Sequence, residues 1–425
     1  MMTFTPYTNK DVQENSSKEL FTVMSTFAGA GGSSTGYKLA GGKVLVSNEF
    51  VEHAYNSYKL NNPNTEMLTG DIKELSSEDF LDAGNIKPGE LDIFDGSPPC
   101  THFSMSGKRE RSWNKEKLYH GHKQYQIERL TEEMIRVAEG VKPKCIIIEN
   151  VKALSLGSAA EYRNTFLNLL NDIGYICSWK ILNASDYGVP QARERTFIIG
   201  IRNDVADALD ISEFANDLDR LFPIPNDKRT TLWDGIYDLQ NRKEHREAAI
   251  EKEKKLADGN PVVRDVLKRI PFNPPKQIQF CKPLAEMVQE EIDKKYRGEQ
   301  YDEKLVDKFA DDLAKDMRAL ESVGEVLQPR LTYFNYFRCS YDKPAPTITG
   351  RAHSYFLPDS DRTFTKEELL RIMSLPDDFK FADGRIEDIE ERIGLMVAPL
   401  QMRAISQNLY EKVLKPYRTK QEQGV

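Results

Sequence analysis

The sequence has few of the features that mark secreted, disulfide-bonded or membrane proteins. Its 425 residues include five cysteines, an odd number with no C-x-x-C pair, which argues against a disulfide framework and against a cysteine zinc site. No apolar run approaches the length of a membrane span, and the polar first ten residues lack a secretory signal pattern. We therefore expect a cytoplasmic protein with no membrane partner and no metal.

The sequence also lacks an excess of positive charge. Lysine and arginine total 59 against 67 acidic residues, giving a formal net charge of −8. A nucleic-acid surface, if there is one, must therefore be a local basic patch. Internal repeats and low-complexity segments are absent from the sequence too, and its length allows two or three domains.

What the sequence does contain is a strand, a glycine-rich turn and a helix near its start. Residues 21–27 form a β-rich run, residues 28–32 read Ala-Gly-Ala-Gly-Gly, and residues 33–39 have a helical pattern. This order is typical of loops whose backbone approaches a nucleotide-like ligand closely. The next predicted strand, residues 44–48, ends at Glu49, where an acidic residue typically binds a ribose. Together these features predict a cofactor site.

A single cysteine, Cys100, follows another predicted strand. The apolar run at residues 91–94 leads into a turn that contains Pro98 and Pro99, and the prolines fix the backbone directly before the thiol. Ligands of open α/β sheets bind at the carboxyl ends of the strands, so Cys100 is a candidate nucleophile. On this stretch alone, a small buried structural cysteine explains the residue equally well.

Other polar side chains recur at predicted strand ends. Asp71 and Glu149 each follow an apolar run, although a helix N-cap is an equally good explanation for Asp71 alone. In an extended segment residues two apart share a side, so Gln191, Arg193 and Arg195 are predicted to form one polar row. Two neighbouring arginines are costly unless anionic or polar groups face them. The recurrence predicts one shared site at the edge of the sheet.

Residues 108–123 contain six basic side chains and interleaved aromatic ones beside Cys100. Charge runs are usually solvated surface, but this position favours a mobile lid that contacts phosphates. His120 and His122 lack a third ligand, so they do not predict a metal site.

Strands and helices alternate up to about residue 202, which predicts a parallel-rich α/β domain. Residues 203–325 carry more charge and more turns. Residues 327–356 are aromatic and basic, which predicts either a small aromatic core or part of a base-reading surface. A capping box at Thr365 and Glu368 predicts a helix start, and spaced apolar residues near 405–413 predict a final amphipathic helix.

These motifs, in this order, resemble those of the DNA cytosine-5 methyltransferases, of the prokaryotic or phage restriction-modification type. The resemblance covers nearly the whole chain except residues 203–325. Residues 97–100 resemble the nucleophile motif, residues 149–151 and 191–195 the two base-handling motifs, and residues 343–349 the motif that closes the target-recognition region. The resemblance implies four catalytic residues: Cys100, Glu149, Arg193 and Arg195. It also implies residues that bind S-adenosyl-L-methionine, namely Phe27, Ala28, Gly29, Gly31, Gly32, Glu49, Phe50, Asp71, Ile72, Asp95, Pro98 and Val397.

The implied activity is transfer of a methyl group from S-adenosyl-L-methionine, which becomes S-adenosyl-L-homocysteine, to carbon 5 of cytosine in a specific double-stranded DNA sequence. The base flips out, Cys100 adds to its C6, Glu149 holds the N3/N4 edge and Arg195 pairs with O2, while Arg193 supports the site. The implied protein is a monomer in the cytoplasm, associated with the nucleoid through DNA.

The resemblance also implies the architecture, a Rossmann-like α/β sheet of S-adenosylmethionine-dependent methyltransferases with a second, smaller target-recognition domain. The expected catalytic and cofactor-binding domain comprises residues 1–202 and 385–425. The expected recognition domain comprises residues 203–384, with a charged helical insert at about 240–325.

The sequence departs from the family pattern at four positions. The family usually has an acidic residue where Ser25 stands and glutamine where Thr101 stands. It commonly has tryptophan in place of Phe50 and asparagine in place of Leu395. Ser25 and Leu395 bear on cofactor affinity more than on the chemistry.

Four alternatives remain. An amino-methyltransferase has a similar Pro-Pro turn, but it needs an aromatic residue where Cys100 stands. A nicotinamide dehydrogenase would explain only the glycine loop. An RNA cytosine-5 methyltransferase would use the same chemistry. A cofactor-binding but inactive DNA-binding protein would agree with Ser25 and Leu395.

Overall fold

The structure is a computed structural model that describes residues 4–99, 118–119, 122–123, 130–156, 160–211, 218–242, 246–250, 278–281, 335–349, 355–360, 362–384 and 386–423. Cys100 and Thr101 lie outside these residues. So do most of the predicted lid at 108–123 and most of the charged insert at about 240–325.

The strands are β1 (Phe21–Thr26), β2 (Gly42–Asn48), β3 (Glu66–Leu68), β4 (Ile93–Gly96), β5 (Leu118–Tyr119), β6 (His122–Lys123), β7 (Cys145–Val151), β8 (Tyr175–Asn183), β9 (Gln191–Ala192), β10 (Glu194–Arg202), β11 (Ile278–Cys281), β12 (Asn335–Arg338), β13 (Ala345–Pro346) and β14 (Tyr355–Phe356). The helices are α1 (Asn9–Ser16), α2 (Gly32–Leu39), α3 (Glu52–Asn61), α4 (Ser77–Gly84), α5 (Leu130–Val141), α6 (Ala160–Asp172), α7 (Asn203–Ala208), α8 (Leu232–Ile236), α9 (Lys366–Ile372), α10 (Ile386–Leu395), α11 (Pro399–Leu409) and α12 (Lys415–Glu422). A π-helical turn at Tyr410–Leu414 joins the last two, and 3₁₀ turns lie at Lys152–Ser155, Ala184–Tyr187 and Leu239–Asn241.

Seven strands form the central sheet, in the order β3-β2-β1-β4-β7-β10-β8. Pairing is parallel from β3 through β7, whereas β10 is antiparallel to both of its neighbours. Every strand of the sheet except β10 therefore points the same way, and the carboxyl ends of the parallel strands meet at one edge. The predicted parallel-rich α/β fold is confirmed.

Helices cover both faces of this sheet. Strand β7 begins with a continuous apolar run in which every side chain is buried, as expected for a parallel strand covered on both faces. One core joins β1, β4 and β7 to residues of α11, among them Met402, Ile405 and Leu409. A second core joins the opposite face to α4, α5 and α6. The predicted C-terminal helix thus packs on the sheet formed by the first half of the chain.

A third apolar core lies among the later elements and includes residues of α8, α9 and α10. The predicted capping box is confirmed, because the Thr365 hydroxyl accepts from the Glu368 amide and the Glu368 carboxylate accepts from the Thr365 amide. The same carboxylate forms a buried bidentate ion pair with Arg362 at 2.8 and 2.9 Å. This core takes residues from both sides of position 384, and the domain boundaries stay a prediction.

Arg338 and Tyr355, two members of the aromatic and basic segment at residues 327–356, are buried. Arg338 donates to the carbonyls of Leu357 and Ser360. For these two residues the small aromatic core is the correct interpretation, and they do not form a base-reading surface. No helix within the described residues is long and apolar enough to cross a membrane.

Candidate active site

A cavity of about 270 Å³ opens at the carboxyl ends of β1, β2, β3 and β4. Eight of the predicted cofactor residues line it: Phe27, Ala28, Gly29, Glu49, Phe50, Asp71, Ile72 and Val397. The other four, Gly31, Gly32, Asp95 and Pro98, are not on its wall. The order of the strands thus brings together residues that are as far apart in the chain as Phe27 and Val397.

The glycine loop after β1 reaches this cavity by an unusual backbone path. Gly29 has a φ of +55°, and a Cβ atom there would meet nothing within 4 Å. The space beside its backbone is therefore open to a ligand. Gly32 serves a different purpose, because a Cβ atom there would lie 2.3 Å from the carbonyl oxygen of Val397. It lets the loop pack directly against the segment that follows α10.

Glu49 is fixed at the tip of β2 by two backbone amides. Its Oε2 accepts from the Gly29 amide at 2.8 Å and its Oε1 accepts from the Val51 amide at 2.7 Å. Burial raises the pKa of this carboxyl above its usual value. The neighbouring Asn48 donates to the carbonyls of Leu68 and Gly70 at 2.9 Å each, which connects the ends of β2 and β3. The carboxylate is thus held rigidly on the cavity wall.

Glu149 and Arg195 form an ion pair on the adjoining part of the sheet edge. Arg195 Nε lies 3.1 Å from Glu149 Oε1, and both side chains are largely buried. Burial lowers the pKa of Arg195, and the Glu149 charge opposes that effect. Glu149 and Asn150 lie within β7, two positions and one position before its end, because the strand continues to Val151. A buried carboxylate beside a guanidinium can hold a polar heterocycle by complementary hydrogen bonds.

Asn150 connects this ion pair to the turn that precedes Cys100. Its side-chain amide donates to the Pro98 carbonyl at 3.1 Å. Pro99, the last described residue of this turn, lines the cavity. The backbone is therefore held at the cavity wall immediately before Cys100, which itself lies outside the described residues.

The predicted polar row of Gln191, Arg193 and Arg195 is wrong. The Arg193 amide donates to the Gln191 carbonyl, so the chain turns here and is not extended. Gln191 accepts from the Ile348 amide, and Arg193 donates to the carbonyls of Ile348 and Gly394 at 3.2 and 3.0 Å. Burial lowers the pKa of Arg193 well below its usual range. Of these three residues Arg195 forms the ion pair with Glu149, whereas Arg193 joins two remote segments.

Sequence reasoning missed several side chains on the cavity wall: Ser33, Lys73, Leu130, Arg392 and Met396. Ser33 directly follows the glycine loop, so its position was a usable signal. The others come from helices or loops whose closeness to the cavity depends on tertiary packing. Within the described ranges there is no group of three or more histidine, cysteine or acidic side chains that could hold a metal ion.

Comparison with known proteins gives the family. The model of the C-5 cytosine-specific DNA methylase family matches residues 21–411, and this chain belongs to that family. It is therefore a cytosine-5 DNA methyltransferase by class.

Among curated relatives, the type II methyltransferase M1.HphI of Haemophilus parahaemolyticus is 28% identical over 395 residues, which is 93% of this chain and 87% of the relative. The type II methyltransferase M.DdeI of Desulfomicrobium norvegicum is 27% identical over 91% of this chain and 88% of its own length. A crystal structure described as a DNA modification methyltransferase encoded within an E. coli prophage matches with a TM-score of 0.58 and 20% identity, covering 93% of this chain and 99% of that one. That similarity confirms the fold.

Proposed function

We propose that this protein transfers a methyl group from S-adenosyl-L-methionine to carbon 5 of a cytosine within a specific sequence of double-stranded DNA. The observation that carries the proposal is the shared edge of the sheet. There the cavity wall ends at Pro99, and the Asn150 side chain connects that turn to the Glu149–Arg195 ion pair. The cavity for the methyl donor and the ion pair for the base lie on either side of one turn, an arrangement that suits transfer of a methyl group between two bound reactants.

The residues that line the cavity suit S-adenosyl-L-methionine. Gly29 leaves open space beside its backbone, and Glu49 presents a fixed carboxylate of the kind that binds a ribose diol. Phe27, Phe50 and Leu395 add apolar surface to the same wall. When bound, S-adenosyl-L-methionine supplies an electrophilic methyl group. The role of the wall is to orient that group toward the turn that leads to Cys100.

The proposed chemistry on the base uses three side chains. The Cys100 thiolate adds to C6 of a flipped cytosine, which places electron density on C5. Glu149 holds the N3/N4 edge and protonates N3, and Arg195 donates to O2, so the charge that builds up on the ring is balanced. After C5 takes the methyl group, C5 loses its proton to solvent, the thiolate leaves C6 and N3 returns its proton to Glu149, which restores the aromatic ring. Arg193 supports this arrangement from outside the ion pair.

We also infer that the protein acts as a monomer on duplex DNA in the cytoplasm, as part of a restriction-modification system. The long alignments with type II methyltransferases support the restriction-modification setting. Its recognised sequence is to be read by expressing the chain in a host without cytosine methylation and bisulfite-sequencing that host's DNA.

A trapping experiment tests the mechanism. A duplex that carries 5-fluorocytosine at the identified site is incubated with the protein and S-adenosyl-L-methionine, because fluorine at C5 blocks the final proton loss. We expect a covalent protein–DNA adduct whose mass places the link at Cys100.

Two comparisons make this result decisive. Cys100→Ala should give no adduct, and a duplex with a scrambled site should give little. An adduct that survives Cys100→Ala would refute the assigned nucleophile. Methylation of RNA of the same sequence but not of the duplex would refute the assigned substrate.

A further inference from the structure

Asp95 is a fully buried carboxylate at the end of β4, and the proposed chemistry does not use it. Its hydrogen-bond partners are hydroxyl groups. Ser25 donates to Oδ2 at 2.9 Å and Tyr37 donates to Oδ1 at 3.0 Å. Ser25 on β1 is also its direct register partner across the two parallel strands. Among the described residues no ion pair includes Asp95, and the groups that stabilise its charge there are hydroxyls.

Asp95 lies close to the cavity without being on its wall. The Ser33 hydroxyl interacts with the Asp95 carboxylate, and Ser33 lines the cavity. Two residues after Asp95, Ser97 also lines the cavity, and so does Pro99. Strand β4 lies between β1, which carries the glycine loop, and β7, which carries Glu149. The reacting end of a methyl donor has to lie over β4, because the turn that leads to Cys100 leaves from that strand.

We propose that Asp95 is the residue that distinguishes the cationic methyl donor from its neutral product, by placing a negative charge beneath the reacting end of the cavity. This inference rests on the proposed function. A sulfonium above the carboxylate is attracted by its charge, whereas the thioether that remains after transfer carries no charge at that atom. Asp95 therefore favours binding of the donor and release of the product. It is a positioning residue, because it acts through the charge it holds below the wall.

The titration of Asp95 agrees with this role. Burial raises the pKa of its carboxyl to about 7, while the hydroxyls of Ser25, Tyr37 and Ser33 oppose that rise. The ionisable groups that face it are Tyr37 from α2, Tyr58 from α3 and Glu149 from β7. A bound cation favours the ionised carboxylate, so donor binding near pH 7 releases part of a proton from Asp95. The product does not have this effect.

The test is isothermal titration calorimetry of the full chain with S-adenosyl-L-methionine and with S-adenosyl-L-homocysteine, without DNA. Titrations run from pH 6.5 to 8.5 in buffers of different ionisation enthalpy, so that released protons are counted. Both ligands carry the same amino and carboxylate groups, and the charged residues that line the cavity, Glu49, Asp71, Lys73 and Arg392, are the same for both. The contributions of those groups cancel in the ratio of the two affinities.

For the wild type we expect the donor to release more protons than the product at pH 7, and its relative affinity to rise with pH up to about pH 7 and then level off. Asp95→Asn should weaken donor binding about tenfold at pH 8 and change product binding less than about twofold. The exchange variant Ser25→Asp/Asp95→Ser keeps one carboxylate on the same register pair, and it should restore the preference.

The outcomes separate the two proposals. If the wild type binds neither ligand, the proposed function fails. If the wild type binds both ligands with equal proton release, Asp95 does not discriminate, and this result does not depend on whether any variant folds. Equal weakening of both ligands by Asp95→Asn would likewise overturn the inference and leave the proposed function standing.

Discussion

Two buried aspartates with opposite surroundings lie at the two ends of β4, Asp92 directly before the strand and Asp95 in its last two residues. Asp92, at the amino end, lies 3.1 Å from Lys144 Nζ and 2.5 Å from Arg418 Nη2, and it accepts from the Thr22 amide at 2.8 Å. Asp95, at the carboxyl end, has hydroxyl partners and a pKa raised to about 7. Lys144 and Arg418 neutralise the charge at the amino end, whereas no cation of the described residues forms an ion pair with Asp95.

At the amino end the charge of Asp92 stabilises the fold, whereas at the carboxyl end the charge of Asp95 is available to interact with a ligand. The Arg418 ion pair docks α12 against the amino end of the sheet, and Arg418 also donates to the Leu20 carbonyl. The carboxyl end instead holds Asp95, Glu49 and Glu149 around a cavity and a turn. Removing a charge should therefore have opposite effects on stability at the two ends.

The largest expected effect is on catalysis at the carboxyl end. Glu149→Gln removes the proton donor for the base, and it should lower the methyl-transfer rate by about a thousandfold. Cofactor affinity should change little, because Glu149 is not on the cavity wall. Single-turnover transfer of a labelled methyl group, with calorimetry alongside, measures both quantities. Glu194→Gln, a change of a half-buried carboxylate that pairs with Lys152, is the matched control. Loss of cofactor binding in Glu149→Gln would contradict the assigned role.

The second effect is on stability at the amino end. Asp92→Asn leaves Lys144 and Arg418 without their carboxylate, and the free energy of unfolding should fall by about 3 kcal/mol. Urea unfolding at pH 8 measures the change. The ratio of donor to product affinity should stay at its wild-type value, since Asp92 is at the far end of the strand. A changed ratio would mean that any buried carboxylate of β4 influences the site.

The third effect is a gain in stability, opposite in sign to the loss expected for Asp92→Asn. The unfolded chain releases the Asp95 proton near pH 4, whereas the folded chain keeps it until about pH 7. Asp95 therefore costs the wild type stability progressively between those values and constantly above them. At pH 8 the free energy of unfolding of Asp95→Asn should exceed that of the wild type by about 4 kcal/mol, and the two should match near pH 4. A destabilised variant at pH 8 would show that the Ser25 and Tyr37 hydrogen bonds outweigh burial.

The smallest effect is expected at the rim of the cavity. Leu395 is 53% exposed and lines the wall, so Leu395→Asn should weaken binding of S-adenosyl-L-methionine by only about two- to threefold. Leu156→Asn changes a side chain of similar exposure that does not line the cavity, and it should leave affinity unchanged. A tenfold loss for Leu395→Asn would make this side chain a main contact for the cofactor.

Much of the fold followed from local patterns. Alternating apolar runs and glycine turns predicted the order of strands and helices up to residue 202, and the Thr365 capping box predicted the start of α9. The ends of individual strands differ from the predicted ones. Strand β4 runs from Ile93 to Gly96, so Asp95 lies within the strand and not in the turn after it. Such shifts are expected, because the backbone hydrogen bonds that define a strand depend on its neighbours.

The sequence predicted which residues belong to the site, but not which of them contact one another. Glu49 and Gly29 were both expected to bind the cofactor, but the hydrogen bond between them was not foreseen. Arg193 and Arg195 have the same side chain two positions apart, and the sequence predicted one shared direction for them. The turn at Arg193, which depends on Ile348 and Gly394, separates their roles.

The sequence by itself determined which chemical groups are available: the glycine loop, the acid at Glu49, the Pro-Pro-Cys turn and the Glu149 motif. These depend on residue type and local spacing, which are properties of the chain alone. The contact between Asp92 and Arg418, and the lack of a cation beside Asp95 among the described residues, depend on the tertiary structure. Asp92 and Arg418 are 326 positions apart in the sequence. Asp92 and Asp95 have the same side chain and are three residues apart, so they differ only in the groups that the folded chain places next to them. Burial and partners set the charge of a side chain, and both exist only in the folded chain.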